Sequence, residues 1–304
     1  MKIDLYKGDC LEVMDELIAK GVVVDAIITD PPYGTTACSW DSVLPMEWYI
    51  KIFDKNKIIE MTETEFFMFL FKKGYSWTFA KTYYEYNRSA GIWKRLNKLI
   101  KPNGAIVLFG SEPFSSALRM SNIKNYKYDW VWEKPTATGH LNAKKQPMRA
   151  YENIMVFYGN QPTYNYQKTQ GHERKVSSAE SKANCKETEV YGKHGLTSYD
   201  STERYPRNVI VFPTDKQKSK LHPTQKPVAL MEYIIKTYTN EGELVLDFTA
   251  GSGTTPVACD NTGRDCIAIE NNDGYFDVMT DRVTENKKRI KDIVVDKGLF
   301  DANN

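Results

Sequence analysis

Short apolar runs at residues 22–29, 105–109 and 244–248 each end in a polar or glycine-rich turn. Runs of this length read as strands buried in a parallel sheet. Helical periodicity adjoins each one. Leu11, Met14, Leu17 and Ile18 form one stripe, with Asp9 placed to cap its start; Ile92, Trp93, Leu96, Leu99 and Ile100 form a second, which Pro102-Asn103-Gly104 should stop; Leu230, Ile234, Ile235 and Tyr238 form a third. A further short strand, 266–269, follows the third glycine-rich region. Strands alternating with helices predict an α/β fold built on a parallel sheet.

Two stretches break the pattern. Residues 51–91 are rich in aromatics, and Thr62 and Glu65 have capping-box spacing ahead of an apolar run, so this stretch is expected to be a helical insertion. Residues 159–220 are polar and carry little periodicity. Trp130 and Trp132 alternate along another strand, and the expectation is that one enters the core while the other faces a ligand.

Composition narrows the class. With 41% hydrophobic and 12% aromatic residues over 304 positions, the chain can bury a large core and should be globular. The longest apolar run, 66–71, is far short of the ~20 residues that span a bilayer. Lys2, Asp4, Lys7 and Asp9 occupy the region where a leader would need an apolar stretch, which points to a soluble cytoplasmic protein with no membrane partner. The five cysteines are scattered, odd in number and without a C-x-x-C pair, so neither a disulfide framework nor a zinc site is expected. The net charge of +2 conceals a gradient: residues 140–226 hold 15 Lys/Arg against 8 Asp/Glu, a local +7. On charge alone such a segment is a solvated face.

Two motifs carry candidate chemistry. The strand 244–248 runs into Thr249-Ala250-Gly251-Ser252-Gly253-Thr254 and then an apolar helix start with Pro256 in its first turn. Glycines there let backbone approach a ligand closely and aim helix N–H groups at it. Glu270 lies 19 residues beyond Gly251, where nucleoside-binding sheets hold a ribose. Pro256 stands where a dinucleotide fingerprint would place its third glycine, which favours a nucleoside without a pyrophosphate, such as S-adenosylmethionine. A mere connecting turn is the alternative.

The second motif, Asp30-Pro31-Pro32-Tyr33, closes the strand 22–29 at the end where parallel sheets bind ligands. Its prolines force extended geometry, so the Asp30 carboxylate and the Pro31 carbonyl become neighbouring fixed acceptors. Two such acceptors can hold both hydrogens of a planar exocyclic amine while its lone pair turns toward an electrophile. Tyr33 offers a ring for stacking. An ordinary turn after a strand is the competing reading.

The ordered set of motifs resembles the β-group amino-DNA methyltransferases, site-specific N6-adenine and N4-cytosine enzymes in which the catalytic tetrapeptide precedes the glycine motif. The set is Gly8-Asp9-Cys10-Leu11-Glu12, Asp30-Pro31-Pro32-Tyr33-Gly34, Val107 to Ser111, Trp130 to Lys134, His222-Pro223-Thr224-Gln225-Lys226-Pro227, Asp247 to Thr254, and Ile269-Glu270. The resemblance implies a Rossmann-like S-adenosylmethionine-dependent sheet with an inserted target-recognition region. The catalytic domain would be 1–158 with 221–304, carrying the 51–91 insertion, and the recognition region would be 159–220.

By the same resemblance, Asp9 and Cys10 meet the adenine end of the cofactor and Glu270 its ribose. Asp247, Thr249, Gly251, Ser252, Gly253 and Thr254 line its methionine portion, over which Lys226 closes. Asp30, Pro31, Pro32 and Tyr33 bind the target base. Aspartate at the first tetrapeptide position resembles the N6-adenine enzymes, with N4-cytosine as the alternative. Thr249 replaces the family's usual phenylalanine, and Phe248 stands one position earlier. Double-stranded DNA is the implied partner, its base flipped into the pocket. Lys144, Lys145 and Arg149 would track phosphates. No metal is implied, and His222 reads as a loop residue ahead of a helix. The 51–91 insertion would pack on the core or on a second subunit, with direct DNA contact as the alternative; a homodimer and an accompanying restriction enzyme are left open, as are an RNA or protein-amine methyltransferase and an inactive DNA-binding relative.

Overall fold

A computed structural model describes residues 1–34, 41–46, 49–54, 57–87, 91–179, 187–188, 192–193, 198–214 and 225–301. The chain starts with β1 (Ile3–Lys7), α1 (Cys10–Ala19) and β2 (Val24–Thr29). Next come a hairpin, β3 (Tyr49–Asp54) with β4 (Lys57–Thr62), and the helices α2 (Glu63–Lys72) and α3 (Trp77–Asn87). Helix α4 (Ile92–Leu99), β5 (Ile100–Gly110), α5 (Phe114–Ser121), β6 (Tyr126–Thr138) and β7 (Arg149–Phe157) follow. Short strands β8 (Lys175–Ser177), β9 (Glu187–Thr188), β10 (Gly192–Lys193) and β11 (Tyr199–Ser201) precede β12 (Val209–Val211). The chain closes with α6 (Val228–Tyr238), β13 (Leu244–Asp247), α7 (Thr254–Thr262), β14 (Asp265–Glu270) and α8 (Asp273–Asp301).

Eight strands form one sheet in the order β1-β14-β13-β2-β5-β7-β6-β12. All neighbours are parallel except the two pairs made by β7, so the sheet is mixed but mostly parallel. Period-two alternation explains its two cores. Ile27, Ile106, Leu108, Leu246, Ile267 and Ile269 face α1, α4 and α5 through Met14, Leu17, Leu96, Leu99 and Leu118. Ala26, Ile28, Val107, Val245, Cys266 and Ala268 face the other way, toward Leu230, Ile234, Ile235, Ala258 and Met279 of α6, α7 and α8. A sheet covered on both faces needs apolar residues at successive positions, and that is why its strands read as apolar runs.

Three expectations change. Helix α4 ends at Leu99, ahead of Pro102-Asn103-Gly104, but Ile100, expected on the helical stripe, opens β5; the three stopping residues also lie within β5, where the register with β2 slips between Val24 and Ala26. Gly104 is required there, because a Cβ would stand 2.6 Å from the Asp25 carbonyl oxygen. Trp130 and Trp132 are both core, at 3% and 2% exposure, because residues two apart on a strand share a face. Trp130 Nε1 donates to Tyr238 and Trp132 Nε1 to the Phe212 carbonyl, so neither indole faces a ligand. The aromatic insertion begins as a hairpin rather than a helix. Thr62 then caps α2 in a full capping box with Glu65, and Phe66, Phe67, Leu70 and Ala80 form a small core of their own.

Residues 1–164 with 209–304 form one compact unit and residues 165–208 a second. The second unit is held by β8–β11 and β9–β10 pairing, by the paired donors of Arg174 on Asp200 at 2.8 and 2.7 Å, and by Lys168 on Glu203. Among the described residues no helix is long and apolar enough to cross a membrane, and no cluster of ligating side chains could hold a metal. Cys10, Cys259 and Cys266 are free and buried; Cys38, Cys185 and His222 lie outside the described residues.

Candidate active site

Chain order reverses direction across the sheet between β13 and β2. From β13 the chain proceeds to β14 on one side, and from β2 it proceeds to β5 on the other. At such a switch point the two following connections part, leaving a crevice beyond the carboxyl ends of the strands. A cavity of about 830 Å³ lies there. Its wall includes the turn after β2 (Asp30, Pro31, Pro32, Tyr33), the start of α1 (Asp9, Cys10), the turn after β13 (Asp247, Thr249, Gly251, Ser252, Thr254) and Glu270 at the end of β14. Residues up to 261 positions apart in sequence thus meet, and the volume suits a nucleoside-sized ligand with room for a second group.

Each wall residue is fixed by its local structure. Asp9 caps α1, its carboxylate accepting from the Leu11 N–H at 2.8 Å, and also borders the cavity. Glu270 accepts from the Gly251 N–H and the Asn272 N–H, each at 2.8 Å, tying the glycine turn to the end of β14. Arg282 of α8 donates to the Ser252 carbonyl at 2.6 Å, and Ser252 Oγ donates to Gln225. Gly253 is the one glycine-turn residue expected at the ligand that does not border the cavity. Its φ of +82° and the Met279 Cγ 2.7 Å from where a Cβ would stand show that it is glycine for backbone and packing reasons.

Asp247 is electrostatically perturbed on the glycine-turn side of the cavity. It is 3% exposed, and burial pushes its carboxyl up to about 6, against hydrogen bonds that favour the charge. Thr29 Oγ1 donates to it at 2.5 Å and the Thr249 N–H at 3.1 Å. Among the described residues its polar contacts are neutral, so the site holds a buried anion that a cationic ligand would neutralise.

The Asp30 side carries four charged groups. Tyr33 Oη donates to Asp30 Oδ1, and Lys226 Nζ donates to Asp30 Oδ2. Lys226 also lies 3.2 Å from Glu152 Oε2, while Lys134 Nζ donates to Glu152 Oε1. Burial raises the Asp30 carboxyl above its ordinary value and Glu152 adds to this, with Lys226 opposing. Burial also raises Tyr33 far above its ordinary range, with Asp30 adding to it. Burial works against the charge of Lys226, but Asp30 and Glu152 outweigh it and hold the ammonium above its usual range. The Tyr33 ring stacks on Phe114 with centroids 5.2 Å apart.

The sequence reading thus placed Lys226 over the methionine end, whereas its ammonium sits on Asp30. Glu152 and Lys134 were not anticipated. Their signal was faint: Lys134 closes the Trp130 to Lys134 motif, and Glu152 is an acid separated only by Asn153 from the apolar end of β7, paired with Trp132 across the sheet. Lys144, Lys145 and Arg149 are not brought to this cavity. Arg149 borders a separate cavity of about 440 Å³ with Thr138, Gly139, Gln146 and Pro147, and donates to Ser111 Oγ at 2.5 Å; Lys144 and Lys145 are exposed in the turn before it.

One cavity shared by a glycine turn and an Asp-Pro-Pro-Tyr turn, at the switch point of a mostly parallel sheet, is the arrangement a methyltransferase needs. The chain matches the N6/N4 methyltransferase family model described as DNA methylase over residues 24–281, and it belongs to that family. It is 25% identical over 303 residues to the Type II methyltransferase M.HinfI of Haemophilus influenzae, covering 95% of this chain and 70% of that one. It is 26% identical over 279 residues to the DNA adenine methyltransferase YhdJ of Escherichia coli K12, covering 90% and 79%. Among solved structures, that of the M1.HpyAVI–SAM complex superposes with a TM-score of 0.56 at 25% identity, covering 92% of this chain and 98% of that one.

Proposed function

We propose that this DNA methyltransferase transfers the methyl group of S-adenosylmethionine to the exocyclic N6 of an adenine flipped out of duplex DNA. The observation that carries the reading is the continuous cavity joining the glycine turn to the Asp30 turn at the switch point of the sheet. The buried, uncompensated Asp247 fits a ligand with cationic ammonium and sulfonium groups, and Gly251 leaves backbone exposed where such a ligand needs close approach. Glu270 takes the ribose and Asp9 the adenine end, both being residues of the cavity wall. When bound, the cofactor supplies an electrophilic methyl group on a sulfur that leaves neutral.

The chain's own residues supply positioning. Asp30 Oδ2 and the Pro31 carbonyl receive the two amine hydrogens, and the amine replaces Lys226 on the carboxylate. Pro31 and Pro32 hold these acceptors still, so little reorganisation accompanies the reaction. The raised Asp30 carboxyl makes it a better proton acceptor than an exposed aspartate when the methylated nitrogen sheds its extra proton. Tyr33 presents the ring face opposite Phe114 to the base.

Adenine is favoured by aspartate at the first tetrapeptide position and by the similarity to an adenine methyltransferase; N4-cytosine is the second reading. Residues 159–220 supply target recognition within a catalytic domain made of 1–158 and 221–304. The compact 165–208 unit has a net charge of only +2 by sequence and spends Lys168 and Arg174 on internal pairs, so most of the +7 excess lies in its flanks, where Lys144 and Lys145 serve phosphates. An assay with methyl-labelled cofactor on duplex DNA, RNA and protein tests the reading. Label in DNA is expected. Label only in RNA or protein would overturn it.

A further inference from the structure

Asp30, Lys226, Glu152 and Lys134 form a chain of alternating charge, drawn from the turn after β2, the segment before α6, β7 and β6, and the first three border the cavity. The side chains of Lys226, Lys134 and Glu152 are 7%, 11% and 14% exposed. In the proposed reaction the target amine must take the Asp30 oxygen that Lys226 holds. A buried ammonium that simply let go would be stranded without a counterion, a state strongly disfavoured in a protein interior. Glu152 Oε2, 3.2 Å from the same ammonium, is a second seat.

We propose that Glu152 is a positioning residue for methyl transfer, giving Lys226 a carboxylate to retreat to so that Asp30 can exchange lysine for the target amine. This rests on the reading that Asp30 binds the amine. Lys134 keeps Glu152 ionised and oriented; burial works against that charge, and the two lysines outweigh it and hold the carboxyl below its usual range. The titratable groups facing Asp30 are Tyr33 from its own turn, Lys226, Glu152 from β7 and Asp247 from β13, with Asp41 acting on Tyr33. If Glu152 is neutralised, Lys226 has Asp30 as its remaining partner and grips it more firmly.

Glu152→Gln is therefore expected to slow single-turnover transfer at saturating cofactor and DNA at least tenfold, with cofactor affinity within about twofold of wild type. The Asp30 carboxyl, followed by carbon NMR in protein labelled at aspartate carboxyls, should titrate at lower pH in Glu152→Gln and at higher pH in Lys226→Met. In the Lys226→Met background the added Glu152→Gln change should cost less than threefold, because no ammonium remains to be moved. Glu152→Asp should recover part of the lost rate. A wild-type rate in Glu152→Gln, an unmoved Asp30 titration, or the full tenfold loss repeated in the Lys226→Met background would overturn the inference. Transfer surviving in Asp30→Ala would instead defeat the reading beneath it, and the titration, which needs no DNA, keeps the two failures apart.

Discussion

Neutralising Asp247 should stabilise the protein while weakening its grip on the cofactor. Burial lifts this carboxyl from an ordinary 3.8 to about 6. The native state therefore binds the proton more tightly than the unfolded chain, and its stability is greatest when Asp247 is protonated. As pH rises from 3.8 to about 6 that advantage is lost at about 1.4 kcal/mol per unit, about 3 kcal/mol in all, and none of it remains at pH 8. An asparagine in place of Asp247 would keep the shape and an acceptor for Thr29 Oγ1 and the Thr249 N–H, though each bond weakens without the charge, costing ~1 kcal/mol together. Asp247→Asn should thus be about 2 kcal/mol more stable than wild type at pH 8, raising Tm by about 4 °C. At pH 5 wild-type Asp247 is already largely protonated, and the electrostatic gain falls by about half. Thermal unfolding of both proteins without cofactor at the two pH values checks this. A variant less stable than wild type at pH 8, or a gain of the same size at both pH values, would refute the idea that Asp247 is held charged against burial. Cofactor affinity measured in parallel should fall, since the anion is retained for a cationic ligand.

Three further outcomes follow from the same geometry. Gly253→Ala should destabilise the protein by about 2 kcal/mol or more, because a side chain at φ +82° is strained and its Cβ meets Met279 Cγ at 2.7 Å; an unchanged Tm would contradict this. Glu270→Gln should weaken cofactor binding about 10- to 100-fold by calorimetry, since the carboxylate anchors the Gly251 and Asn272 N–H groups and, in the proposed reading, holds the ribose; an unaltered Kd would remove it from the site. Replacing Lys144 and Lys145 together with alanine should lower the slope of log affinity for duplex DNA against log salt by about 2, with an unchanged slope excluding them from phosphate contact.

The core of the fold was legible because a sheet buried on both faces writes itself as apolar runs: β2, β5 and β13 were visible as such, and α1, α4 and α6 as helical stripes. The turns that border the cavity were legible for a different reason. Asp30 and Gly251 belong to local motifs whose geometry depends on prolines and glycines a few residues away. Glu152 belongs to no such motif. Its importance arises only when β7 inserts antiparallel between β5 and β6 and brings it beside a lysine 74 positions later, a pairing that no local pattern encodes. Gly253 shows the converse, since a motif glycine can serve packing against α8 rather than the ligand. A charge count has the same limit, because it cannot show that Lys168 and Arg174 are paired with Glu203 and Asp200.

The central claim is that Asp30 presents an adenine amine to a methyl group held at the glycine turn. Nucleoside mass spectrometry of duplex DNA incubated with methyl-labelled cofactor and either wild-type protein or Asp30→Ala tests it most directly. Labelled N6-methyldeoxyadenosine with wild type, and a loss of at least about a thousandfold in Asp30→Ala with cofactor binding retained, is the predicted result. Label confined to cytosine, no label in DNA, or Asp30→Ala as active as wild type would contradict it.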